Sequence, residues 1–108
     1  MKRLMAIFCL LTTLLTACSG IAPSKGEVIV YVVAPLSGWQ ANGGQTVVGG
    51  ARTMADQLNR QGGLLGYTVK IVALDDAADD DTAKQQAQEI ASAIKQGKKV
   101  IGVIGHLN

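Results

Sequence analysis

Residues Val28 to Ala34 read Val-Ile-Val-Tyr-Val-Val-Ala, an unbroken apolar and largely β-branched run. A strand that offers no polar face must be covered on both sides, which is the situation of a central strand in a parallel sheet with helices above and below. Pro35-Leu36-Ser37-Gly38 ends the run. Val47, Val48, Ala51, Met54, Ala55 and Leu58 then recur at helical spacing and predict a helix from about Gly44 to Gln61, stopped by Gly62-Gly63. Tyr67 to Leu74 alternates before turning wholly apolar, predicting a second strand nearer the sheet edge. A second helix is expected from about Asp81, capped by that carboxylate. Its buried stripe is Ala83, Ala87, Ile90, Ala91 and Ile94, and Lys95, Lys98 and Lys99 lie at its C-terminal end, where the helix dipole favours cations. Val100 to Ile104 is the third strand. Strands alternating with helices imply right-handed crossovers and an α/β fold built on a doubly wound parallel sheet.

The segment before this unit reads as an address. Lys2 and Arg3 precede an apolar stretch from Leu4 to Leu15, well short of the roughly 20 residues that a bilayer-crossing helix needs. Leu15-Thr16-Ala17-Cys18 follows and resembles the lipobox of bacterial lipoproteins: Ala17 is small enough for a signal peptidase pocket, and the Cys18 thiol is the nucleophile that takes a diacylglyceryl group. The expected organisation is a signal over residues 1–17, lipidation at Cys18, a lipidated tether over 18–26 and a folded part over 27–108. It places the protein on the periplasmic side of the cell envelope, held to the lipid bilayer through acylated Cys18. Cys9 leaves with the signal, so no disulfide is expected. Two of the ten basic residues leave as well, which balances the remaining eight against the eight acidic ones and removes the formal +2. Neutrality and only 4% aromatic residues argue against a nucleic-acid partner.

Little in the folded part offers reaction chemistry. Gly43-Gly44 and Gly49-Gly50 follow the first strand, yet neither spacing makes the amide cradle of a phosphate loop. Gly49 and Gly50 are instead expected where helix and sheet approach closely. Asp75, Asp76, Asp79, Asp80 and Asp81 lack the ligand order of a calcium loop and read as a solvated turn with a helix cap. No metal and no cofactor are expected. Serines stand at 19, 24, 37 and 92 and the single histidine at 106, with nothing to place a nucleophile beside a base, so the protein reads as non-enzymatic. His106 lies at the carboxyl end of the third strand, where open α/β sheets present their ligand crevice, and Trp39 and Gln40 follow the first strand at the same edge. These three and the adjacent Asn108 are the candidate ligand-binding residues.

Four segments in order carry a family resemblance: Ala34-Pro35-Leu36-Ser37-Gly38, Asn59-Arg60-Gln61-Gly62-Gly63-Leu64-Leu65-Gly66, Asp75-Asp76-Ala77 and Val103-Ile104-Gly105-His106-Leu107. They resemble the start of periplasmic substrate-binding proteins of branched-chain amino acid ABC transporters, the leucine/isoleucine/valine-binding type. The resemblance implies the first βαβαβ portion of the N-terminal lobe of a type 1 periplasmic binding protein. It further implies two lobes closing on an amino acid or similar small polar solute, and an ABC permease as partner. In that family the Gly-His-Leu segment precedes a Ser/Thr-rich stretch that holds the ligand, so residues 27–108 stop short of a complete pocket. Some relatives join the loop after the second strand to the end of the third through a disulfide; the matching positions here, Ala78 and Asn108, both lack sulfur. The alternative is a ligand-sensing envelope lipoprotein on the same scaffold; a nucleotide-dependent enzyme is opposed by the missing phosphate loop.

Overall fold

The computed structural model describes residues 21–107; the expected signal, the lipidation site Cys18 and the candidate Asn108 lie outside the described residues. Three strands, β1 (Glu27–Ala34), β2 (Thr68–Asp75) and β3 (Val100–Ile104), form one sheet in the order β2-β1-β3. Both pairings are parallel, with Val33 opposite Leu74 on one side and Tyr31 opposite Val103 on the other. A short 3-10 turn (Gly38–Gln40) leads into helix α1 (Ala41–Arg60), and helix α2 (Asp80–Lys95) joins β2 to β3.

The continuous apolar run of β1 is explained by its place in the middle. Ile29, Tyr31 and Val33 pack against Ile90 and Ala93 of α2 on one face, while Val28 meets Ala55 of α1 on the other. Alternate side chains of one strand thus serve two helical layers, as a doubly wound sheet requires. β2 takes an edge, as its alternation predicts. Asn59 covers that edge: its Nδ2 donates to the Val69 carbonyl at 2.9 Å and its Oδ1 accepts from the Val69 amide at 2.8 Å. A ladder position that would face water is thereby satisfied by a side-chain amide.

Several local expectations are corrected. Helix α1 starts at Ala41, three residues before the predicted Gly44, because the 3-10 turn feeds directly into it. Gly49 and Gly50 are exposed, and a Cβ on either would meet open space. The close approach is made by Gly44 instead, where a Cβ would overlap the Pro35 carbonyl. Met54, expected in the buried stripe, is 57% exposed. In α2 the buried residues are Ile90 and Ala93, and Ala87, Ala91 and Ile94 face outward. The cap of α2 is Asp79, whose carboxylate accepts from the Thr82 amide and hydroxyl, both at 2.8 Å; the expected Asp81 lies inside the first turn. There it still favours the helix, through the dipole.

The last residues of the expected tether are tied to the fold. The amides of Ser24 and Lys25 donate to the Gly66 carbonyl, and the Thr68 amide donates to Gly26. Among the described residues no helix is long and apolar enough to cross a membrane.

Candidate ligand crevice

With β1 in the centre, the chain leaves it through α1 toward β2 on one side and returns through α2 to β3 on the other. The order therefore reverses between β1 and β3, and the crevice of an open α/β sheet lies beyond the carboxyl ends of the two strands at that point. The loop after β1, the turn after β2 and the segment after β3 all meet there. Two glycines let them approach. Gly44 seats the first turn of α1 on the Pro35 carbonyl, and Gly105, at φ 122°, brings the chain after β3 against the Val33 carbonyl. The Cβ position of Gly43 lies 3.9 Å from Leu107 Cδ2, so the start of α1 borders the segment that follows β3.

Two adjacent carboxylates join these parts. Asp75 Oδ1 accepts from the Leu36 amide at 2.7 Å and the Ala77 amide at 2.8 Å, linking the loop after β1 to the turn after β2. The Ser37 hydroxyl, followed by the Leu36 amide, holds this carboxyl below its ordinary range by hydrogen bonding to the charged form. Asp76 is completely buried. Its amide donates to the Ala34 carbonyl at 3.2 Å, its Oδ1 accepts from the Ala78 amide at 3.1 Å, and its Oδ2 is 2.9 Å from His106 Nδ1. Ala77 and Ala78 both occupy left-handed backbone, at φ 52° and 53°. Such a conformation is unfavourable for alanine, and the two carboxylates offset that cost by accepting from both alanine amides.

His106 is thus fixed from behind. Its Nδ1 is taken up by the contact with Asp76, which leaves Nε2 as the ring atom that can serve a ligand. The ring is partly open, with its side chain 37% exposed. Trp39, 88% exposed, and half-buried Gln40 sit on the 3-10 turn at the same end of the sheet. Among the described residues neither of their side chains is hydrogen-bonded to His106; the imidazole is brought to Asp76 instead. No three His, Cys, Asp or Glu side chains among the described residues are arranged to hold a metal ion.

Asp76 is the residue that the sequence reading passes over, since an aspartate among five reads as solvated. The available signal is its position: it directly follows a strand whose end lies beside the ends of its neighbours, in a turn that must bury something polar.

Residues 28–107 match the family model described as periplasmic binding protein. The chain belongs to that family. Its fold is accordingly the N-terminal portion of a type 1 periplasmic binding protein. A Leu/Ile/Val-binding protein, BraC3, of Rhizobium johnstonii is 33% identical over 81 residues, covering 74% of this chain and 22% of that protein. An amino acid binding protein of Pseudomonas aeruginosa is 32% identical over 80 residues, with shares of 74% and 20%. A Leu/Ile/Val-binding protein homolog 2 of Brucella abortus is 34% identical over 85 residues, with shares of 79% and 22%. The chain thus spans about a fifth of the length of the curated relatives it matches. Family membership supports a solute-binding role and a periplasmic location.

Proposed function

We propose that this chain forms the first part of the N-terminal lobe of a lipid-anchored protein that captures a branched-chain amino acid, or a similar small polar solute, for an ABC importer. The observation that carries the reading is the imidazole of His106, held by a fully buried carboxylate at the switch point of a sheet that belongs to a solute-binding family. A small zwitterion gives up its water only to groups already fixed in place. The Nε2 atom of His106 is one such group, and Gln40 adds an amide donor and acceptor at the same edge; Asn108, next but one after His106 in the sequence, is the remaining candidate. Leu107 and Trp39 offer apolar surface for an aliphatic side chain. Closure of a second lobe would complete the enclosure. Cys18 would carry the acyl chains, and the permease would receive the solute.

The test is a chimera in which residues 27–108 replace the matching fifth of the Rhizobium relative. Calorimetry is expected to show binding of leucine, isoleucine or valine in preference to lysine and aspartate, weakened at least about tenfold, or 1.4 kcal/mol, by His106→Ala. A folded chimera that binds none of the aliphatic amino acids would refute the reading. The anchor is checked separately, by mass spectrometry of the membrane-bound product. A mature N-terminus other than acylated Cys18 would remove it.

A further inference from the structure

The end of the sheet opposite the crevice has a composition of its own. Both helices finish there, and with them come Arg60, Lys95, Lys98 and Lys99, while Lys25 arrives from the segment before β1. The carboxylates of the turn after β2, from Asp75 to Asp81, lie at the other end, so the described residues are basic where the strands begin and acidic where β2 ends. Glu27, the acidic side chain at the start of β1, is engaged by Lys70 at 3.3 Å.

Two of these cations share one aromatic ring. Lys25 Nζ lies 5.9 Å and Lys99 Nζ 4.8 Å from the centroid of Tyr67. Among the described residues neither lysine forms an ion pair. Like charges gathered on one ring repel each other, and the arrangement gains when an anion lies against it.

Exposed apolar side chains stand beside the cations. Leu65 is 81% exposed, Ile21 80% and Leu64 40%. Leu65 is held out by left-handed backbone at φ 54°, in a turn position where glycine or asparagine would be cheaper. Ile21 lies against Gly62, Pro23 against Gly63 and Lys25 against Gly66, so the segment that leads back to Cys18 runs along this same turn.

We propose that this end of the molecule is a membrane-facing surface for anionic lipid, with Leu65, Leu64 and Ile21 entering the headgroup boundary and Lys25, Lys99 and Lys98 meeting the lipid phosphates around them. Apolar tips ringed by lysines, with a tyrosine at the border, are the composition that an interfacial surface uses, the lysine stems lying along apolar material while the ammonium groups reach anions. Ile21, the first described residue, is on this side, and the apolar stretch Leu4 to Leu15 precedes it in the sequence. The surface does not require acylation of Cys18.

The test uses the full chain in vesicles containing brominated lipid, with Trp39→Phe combined with Leu65→Trp, or in a second variant with Ile21→Trp, so that the only tryptophan reports the proposed surface. Because the N-terminal apolar stretch partitions into either kind of vesicle, the readout is local quenching. We expect quenching of both probes to be at least threefold stronger with phosphatidylglycerol present than with phosphatidylcholine alone. Trp39 of the unaltered chain, at the opposite end, should stay unquenched in both. Lys25→Glu with Lys99→Glu should abolish the difference while leaving the urea midpoint unchanged. Equal quenching in the two lipids, quenching of Trp39 to the same extent, or indifference to the lysine reversals would overturn the proposal. So would a dimer in sedimentation that Leu65→Asp dissociates, which would assign the surface to a second copy.

Discussion

A methyl group at position 44 would overlap the Pro35 carbonyl, whereas at positions 49 and 50 it would enter open space. The three glycines stand in one helix and look alike in the sequence, yet their expected responses have opposite sign. Gly44→Ala pushes the first turn of α1 off the loop after β1 and lowers stability. Gly49→Ala and Gly50→Ala relieve the backbone entropy of an exposed helical glycine, for a gain of about 0.5–1 kcal/mol each. Urea midpoints of the three variants check this, and a stabilised Gly44→Ala would contradict the packing of α1 on Pro35. Asp76 carries the same lesson. Its residue type was plain from the sequence, but its burial depends on where the end of β3 comes to lie, about 30 residues later, and local pattern contains no trace of that contact.

At the scale of elements, the strands and helices were legible because each writes its period over its own length. β1 and β3 lie where their apolar runs predict, and Gly62-Gly63 ends α1 as expected, the Gly63 amide returning to the Leu58 carbonyl. What periodicity could not supply is the rotation of α2. Its apolar residues allow two overlapping stripes, and the neighbours decide between them: contact with Ile29, Tyr31 and Val33 selects Ile90 and Ala93, leaving Ala87, Ala91 and Ile94 outside. The start of α2 also makes the fold sensitive to acid. The Thr82 amide and hydroxyl hold the Asp79 carboxyl below its ordinary range, and Ser37 and Leu36 do the same for Asp75. For carboxyls depressed in the folded state, the added stability is complete above the unfolded value near pH 4 and is lost as pH falls through the lower, folded value. Thermal melts between pH 7 and pH 2 should therefore show a drop beginning at about pH 4. Asp79→Asn, which keeps a capping oxygen but cannot titrate, should make the drop shallower; an unchanged profile would remove Asp79 from the acid response.

For the whole molecule, the two sides of the sheet differ. β2 is covered by Asn59, whereas β3 is the other edge among the described strands, and Ile101, Val103 and Ile104 are each 43–50% exposed. A long apolar edge of this kind invites another strand. The strand order also has a consequence in time. Ile29 pairs with Val100, so the neighbour on that side of β1 leaves the ribosome about 70 residues after it, on the order of 4–14 s later at typical elongation rates. Throughout that interval the most apolar segment of the folded part has one bare side, which makes it a natural resting place for a chaperone and keeps the young chain loose enough to be threaded through a narrow pore.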